Sequence, residues 1–121
     1  MQTLPSLRAA LGAKPGVEET FPFDTVTLVV KVGGKMFALL ALTDDPLRLS
    51  LKVDPDYGDL LRATFPAIQP GYHLNKRHWI TLTLDGTLED ALVDELIDES
   101  YRLVVRGLPR RMRANLEGAE G

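Results

Sequence analysis

Six basic side chains, two histidines and one tryptophan hold most of the chemistry this sequence could perform. Lys31, Lys35, Arg48, Lys52, Lys76 and Arg77 fall in segments 25–43, 46–53 and 71–84, which contain no Asp or Glu. His73, His78 and Trp79 lie in the last of them. Successive side chains of a strand point to opposite faces, so if Ile80, Leu82 and Leu84 face a core, Trp79, Thr81 and Thr83 face away. The same alternation turns Arg48, Ser50 and Lys52 outward from one strand, and Thr27, Val29 and Lys31 from another. Such a face can hold phosphates through its cations while the indole stacks on a base. The candidate nucleic-acid-binding residues are therefore Lys31, Arg48, Lys52, His73, Lys76, Arg77, His78 and Trp79. The plainer and commoner alternative is a solvated sheet face whose lysines discourage edge pairing. The formal net charge of -3 weighs the same way.

Other chemistry finds less support. A two-residue turn at Asn75-Lys76 would set His73 opposite His78, and two imidazoles can hold Zn²⁺ or a similar ion. The chain has no Cys, and two ligands fall short of the usual four. Histidines bonded to backbone, with no metal, are the expectation. No Gly-x-Ser-x-Gly elbow, Walker loop or dinucleotide fingerprint is present, so neither enzymatic activity nor a cofactor is expected. Gly33-Gly34-Lys35 reads as a hairpin turn, because no helix follows to make it a phosphate loop. Glu18 and Glu19 read as part of a solvated loop, and Tyr72 and Tyr101 as residues at the edge of a core.

These residues need elements to position them. Leu4, Leu7 and Leu11 mark one face of a short helix ended by Gly12. A loop from Lys14 to Asp24 follows. Val26–Val32 and Lys35–Leu42 form a hairpin about Gly33-Gly34, and Leu47–Val53 alternates as a half-buried strand. Asp54-Pro55 caps and opens a helix running to about Phe65. Trp79–Leu84 is the clearest strand of the second half. A long helix starts at Leu88, with Thr87 as cap and Asp90 in the third position. Its apolar arc holds Leu92, Val93, Leu96, Ile97, Ser100, Leu103 and Val104, while the acids of 85–99 form a solvated face. Segment 102–113 then carries five Arg and no acid. The expected core includes Leu40, Leu49, Leu51, Ile80, Leu82, Leu92, Leu96 and Leu103. Short β connections make the sheet antiparallel, so the fold class is α+β with helices packed on one sheet face and the other face open.

Five ordered motifs carry a family resemblance over nearly the whole chain. They are Pro15-Gly16-Val17-Glu18-Glu19-Thr20-Phe21-Pro22-Phe23, Lys31-Val32-Gly33-Gly34-Lys35-Met36-Phe37, and Leu49-Ser50-Leu51-Lys52 with Asp54-Pro55. The others are Pro70-Gly71-Tyr72-His73-Leu74-Asn75-Lys76-Arg77-His78-Trp79, and Ser100-Tyr101 with Leu108-Pro109. The sequence resembles the YjbR/MmcQ family. That resemblance implies a CyaY/frataxin-like, double-wing arrangement of the α+β fold and a DNA-binding label that rests on shape and analogy.

One domain over residues 1–113 is expected, with 114–121 as a flexible tail. The leading functional reading is a DNA-binding module. The alternatives are a small-molecule or protein-binding adaptor and, by fold analogy, a frataxin-like metal-handling protein using the acids of 85–99. The N-terminal sequence lacks the apolar stretch of a signal peptide, and no apolar run approaches the ~18 residues of a membrane span. With no Cys for disulfides, a cytoplasmic monomer without membrane contact is expected.

Overall fold

The computed structural model describes residues 2–120, with side chains as far as Leu116. In chain order the elements are α1 (Leu4–Gly12), β1 (Val17–Thr20), β2 (Thr27–Val32), β3 (Lys35–Ala41), β4 (Leu47–Lys52), α2 (Pro55–Thr64), β5 (Ile68–Pro70), β6 (Trp79–Leu84), α3 (Asp90–Arg106) and α4 (Arg110–Glu120). The six strands make one antiparallel sheet in the order β1-β2-β3-β4-β6-β5. Leu28 and Val30 of β2, Ala38 and Leu40 of β3, Leu49 and Leu51 of β4, and Ile80 and Leu82 of β6 share one face by register. They form a single cluster with Leu7 and Leu11 of α1, Leu61 of α2 and the buried stripe of α3, and Leu116 of α4 packs against it. The helices thus bury their apolar stripes on one side of the sheet.

Local chemistry explains most boundaries. Thr3 caps α1 in a reciprocal box with Ser6. Gly33 and Gly34 both take positive φ, 58° and 78°, as a two-residue turn of this hand demands. Asp54 accepts from the amides of Asp56 and Tyr57, with Pro55 at the first helical position of α2.

The structure departs from the sequence expectations at several points. β1 and β5 lie where the residues alone suggest loops. β1 is polar, and its strand character comes from pairing with β2, including Glu18 opposite Lys31. β5 is three residues long and ends in proline. α3 starts at Asp90 after Glu89, with no side-chain cap, because the Thr87 hydroxyl instead donates to Asp85 Oδ1 at 2.6 Å. Leu92 and Leu103 are half-buried; the buried stripe of α3 runs through Val93, Leu96, Ile97, Ser100, Tyr101 and Val104, turned by roughly 40° from the expected arc at 3.6 residues per turn. Residues 114–120 belong to α4, with Leu116 seated against Gly16. Gly121 lies outside the described residues.

One polar contact inside the core stands out. β3 carries one extra residue: Val30 pairs with Ala38 and Lys31 with Met36, which leaves Phe37 bulged. The β3–β4 ladder stops at Ala38 and Leu51, so Phe37 and Lys52, the next pair in register, have no direct bond. Ser100 of α3, fully buried, fills the gap. Its hydroxyl donates to the Phe37 carbonyl at 2.6 Å and accepts the Lys52 amide at 2.8 Å. Next to it, Tyr101 meets Phe37 edge-on and donates its hydroxyl to the Pro15 carbonyl at 2.5 Å. Ser100→Ala strands a buried donor and a buried acceptor together and should cost about 2–4 kcal/mol. Urea denaturation at unchanged slope measures it.

Candidate binding cleft on the open sheet face

The face away from the helices is built by Thr27 and Val29 of β2, Leu39 and Ala41 of β3, Arg48 and Ser50 of β4, and Thr81 and Thr83 of β6, all related by register. Two loops rise at its sides. The first, between β1 and β2, carries Phe21, Phe23 and Val26, all exposed. Asp24 holds this loop: its Oδ1 accepts the amides of Val26 and Thr27 at 2.9 and 2.7 Å, and its Oδ2 accepts the Thr27 hydroxyl at 3.2 Å. These donors, the Val26 amide foremost, pull the Asp24 carboxyl below its ordinary range.

The second is the eight-residue loop between β5 and β6, which closes where the Gly71 amide donates to the Trp79 carbonyl. The Tyr72 amide donates to Thr81 Oγ1 at 3.0 Å and so ties the loop to the sheet. His73 adopts a positive φ of 59°, uncommon for a residue with a Cβ. That backbone places its ring 4.1 Å from the Tyr72 ring, centroid to centroid. Arg48 stands over Tyr72, its guanidinium carbon 5.5 Å from the ring centre. Arg48 Nε also lies 3.4 Å from Asp44 Oδ2.

Arg48 and Tyr72 stand between two hollows. One, of about 570 Å³, is polar and open toward Asp45, Gln69 and Thr83. The other, of about 430 Å³, has walls of Phe23, Val26, Leu39, Tyr72, His73 and Leu74 above a floor that includes Ser50 and Thr81. Ser50 and Thr81, both buried, bond each other through their hydroxyls at 2.8 Å. An apolar hollow of this size with a few convergent polar groups is the usual form of a small-molecule site.

The residues expected to bind nucleic acid are only partly gathered here. Arg48 and His73 line the cleft. Lys31 and Lys52 lie on the same sheet face, half-buried. Trp79 shares that face by its pairing with Lys52, but it is buried, contrary to expectation. Gly71 sits against it so closely that a Cβ there would stand 2.6 Å from the Trp79 Cβ. The indole therefore offers no open ring for a base. Lys76 turns its ammonium to the Gly71 carbonyl at 3.1 Å, while Arg77 and His78 are exposed beyond the sheet edge. His73 and His78 do not oppose each other across a two-residue turn. The loop makes two turns in succession, with the Leu74 amide bonded to the Gly71 carbonyl and the His78 amide to the Asn75 carbonyl. Nor is the face free of acid, since β1 supplies Glu18 opposite Lys31 and the loops supply Asp24 and Asp44.

The sequence reading misses Phe23, Asp24, Asp44 and Tyr72 as cleft residues. Two aromatics in Phe21-Pro22-Phe23, followed by Asp24 three residues before Thr27, form the available signal: apolar rings outside any strand period, pinned by an Asx turn.

The family model described as YjbR matches residues 12–103. The chain belongs to the YjbR family. It is 40% identical to the uncharacterised Escherichia coli O157:H7 protein YbdF over 97 residues, which is 80% of each chain. It is 38% identical over 101 residues to the uncharacterised protein YjbR of Escherichia coli K12, covering 84% of this chain and 86% of that one. The crystal structure of the Deinococcus radiodurans protein DR2400 superposes with a TM-score of 0.91 at 51% identity, covering 97% of this chain and 89% of that one. A Pseudomonas syringae protein superposes with a TM-score of 0.72 at 28% identity, covering 84% and 98%. The α+β fold of this YjbR-family chain thus has solved counterparts.

The Asp24 turn makes the cleft wall sensitive to acid. A carboxyl held below its ordinary value favours the folded loop above that value, 3.8, and the support is lost as pH falls through the lower folded-state value. Asp24→Ala should reproduce the loss at neutral pH. Amide exchange at Val26 and Thr27 should accelerate in that variant while exchange in β4 and β6 stays unchanged.

Proposed function

We propose that this YjbR-family chain is a non-enzymatic binding module that takes a small molecule in the cleft between Phe23 and Tyr72. One observation carries the reading: an apolar hollow of about 430 Å³ stands between two exposed aromatic residues, above a buried pair of hydroxyls on the open sheet face. Exposed aromatics gain free energy when a ligand removes their area from water, about 25 cal/mol per Å². The Tyr72 ring is held by contacts with His73 and Arg48, so little ordering is left for the ligand to impose. We take the module to act as a cytoplasmic monomer with no cofactor. No helix among the described residues is long and apolar enough to cross a membrane. Amide chemical-shift mapping with a library of small planar compounds tests the reading. Shifts should concentrate at Ser50, Tyr72 and Thr81, and Phe23→Ala should weaken binding without loss of fold. A library that moves none of these amides overturns it.

DNA binding is the second reading, favoured by Lys31, Arg48 and Lys52 on one sheet face. It ranks lower because Trp79 is buried and acids flank the cations. If three cations met phosphates, log affinity for duplex DNA would fall with log salt at a slope of about -2.7. A salt series on Lys52→Ala should then lower that slope by about one; no retention of duplex or single strands at low salt removes this reading. The frataxin-like arrangement and its metal-handling corollary rank third. Among the described residues no three His, Asp or Glu side chains group closely enough to hold a metal ion. Two of the α3 acids, Asp98 and Glu99, are paired with Lys14 and Arg102.

A further inference from the structure

Taking the cleft reading as given, we infer that its ligand is a planar, largely apolar carboxylate, with the flat body against Phe23 and Leu39 and the carboxylate between Arg48 and the Ser50–Thr81 hydroxyls. Hydrogen-bond counting decides the polarity. Thr81 Oγ1 already accepts the Tyr72 amide at 3.0 Å. Ser50 and Thr81 bring two hydroxyl protons, and the 2.8 Å bond between them uses one. The other proton has no acceptor among the described residues, although Ser50 is 7% and Thr81 4% exposed. A buried donor without a partner costs free energy that an incoming acceptor recovers. If Thr81 donates to Ser50, the free proton is the Ser50 proton; in the reverse case it stays on Thr81. Both residues line the hollow, so either arrangement presents a donor at its floor.

Arg48 supplies the charge. It lies two residues before Ser50 on β4 and on the same face. Its nearest acid, Asp44, is 3.4 Å from Nε, outside ordinary hydrogen-bond length. The rest of the guanidinium fork therefore remains available, and that planar fork matches a carboxylate in two parallel bonds. The acids nearby do not offer a matching site for a cation. Asp24 already accepts three hydrogen bonds, and Asp44 faces Arg48. The Arg48 fork and the one unpaired hydroxyl proton are the kind of donors a carboxylate accepts from. The flat body follows from the walls: Phe23 is 66% exposed and Tyr72 60% exposed, with Leu39 between the two loops on the sheet.

The test compares matched probes on the full chain labelled with ¹⁵N. Indole-3-acetate and 2-naphthoate are titrated beside their primary amides and the corresponding amines. The carboxylates should shift the amides of Ser50, Tyr72 and Thr81 and bind about tenfold or more tightly than the amides, as a charge-assisted contact requires. Arg48→Gln should abolish that preference, and Ser50→Ala should weaken carboxylate binding severalfold; both variants should keep a dispersed spectrum. Ser50→Thr, which keeps the hydroxyl, should retain the preference. Amides binding as well as carboxylates, amines binding better, or an undiminished preference in Arg48→Gln overturns the carboxylate inference and leaves the cleft reading standing. The absence of shifts from every probe at millimolar concentration overturns both.

Discussion

The Ser100 hydroxyl joins the two layers of this fold at the point where the sheet cannot bond to itself. A bulge at Phe37 opens one rung of the β3–β4 ladder. A buried carbonyl and a buried amide would otherwise be left without partners, a cost no apolar side chain can relieve. A single hydroxyl that both donates and accepts fits the gap, and it must come from the helix packed above. The position of α3 along the sheet follows from that contact. Tyr101, next in sequence, then reaches the Pro15 carbonyl, which fixes the entry to β1. Leu108, just past α3, packs on Gly33 at the β2–β3 turn. One polar rung thereby sets the register between helix and sheet from which the apolar contacts follow.

The cleft depends on the same layering from the opposite side. Because all the helices bury their apolar stripes on one face, the other face is left to loops. Loops bury little area, so those beside the cleft hold their shape by local hydrogen bonds. Asp24 folds one back on its own amides, and the Tyr72 amide ties the other to Thr81. A positive φ at His73 belongs to the class of backbone outliers that cluster at ligand sites, where surrounding contacts offset the strain. Here those contacts are the adjacent Tyr72 ring and, beyond it, Arg48.

Much of the fold is legible in the residues because periodicity and turn chemistry are local. Leu49, Leu51, Ile80 and Leu82 declare their face by alternation alone, and all are fully buried. Gly33-Gly34 and Asp54-Pro55 declare a turn and a helix start by the backbone angles they permit. β1 is not legible, since Val17-Glu18-Glu19-Thr20 lacks an apolar stripe and becomes a strand only because β2 offers it an edge. The phase of α3 is displaced for a related reason: Tyr101 turns to the core beside Ser100 because its hydroxyl bonds to the Pro15 carbonyl, which the apolar arc, although it includes Ser100, does not anticipate. Of the candidate site, alternation correctly sets Arg48, Ser50 and Thr81 on one face. It says nothing about the loops above them, so Trp79 reads as exposed, Tyr72 as a residue at the edge of a core, and Phe23 is given no role.

The separation of charge along the chain shows how far such local reading extends. Segments free of acid look like a basic surface as long as each is taken alone. Antiparallel pairing then brings Glu18 to Lys31, and a short loop brings Asp44 to Arg48. Lys76 spends its ammonium on a carbonyl of its own loop. Long-range attraction for a polyanion depends on net charge over a patch comparable with the Debye length, about 8–10 Å at physiological salt, and these neighbours reduce it on that scale. Short-range recognition depends instead on which individual donors lack acceptors. By that measure Arg48 and the Ser50–Thr81 pair are set apart by their place, since they line a hollow with apolar walls beside them. The open face is better suited to a ligand read at hydrogen-bond distance than to one attracted by field alone.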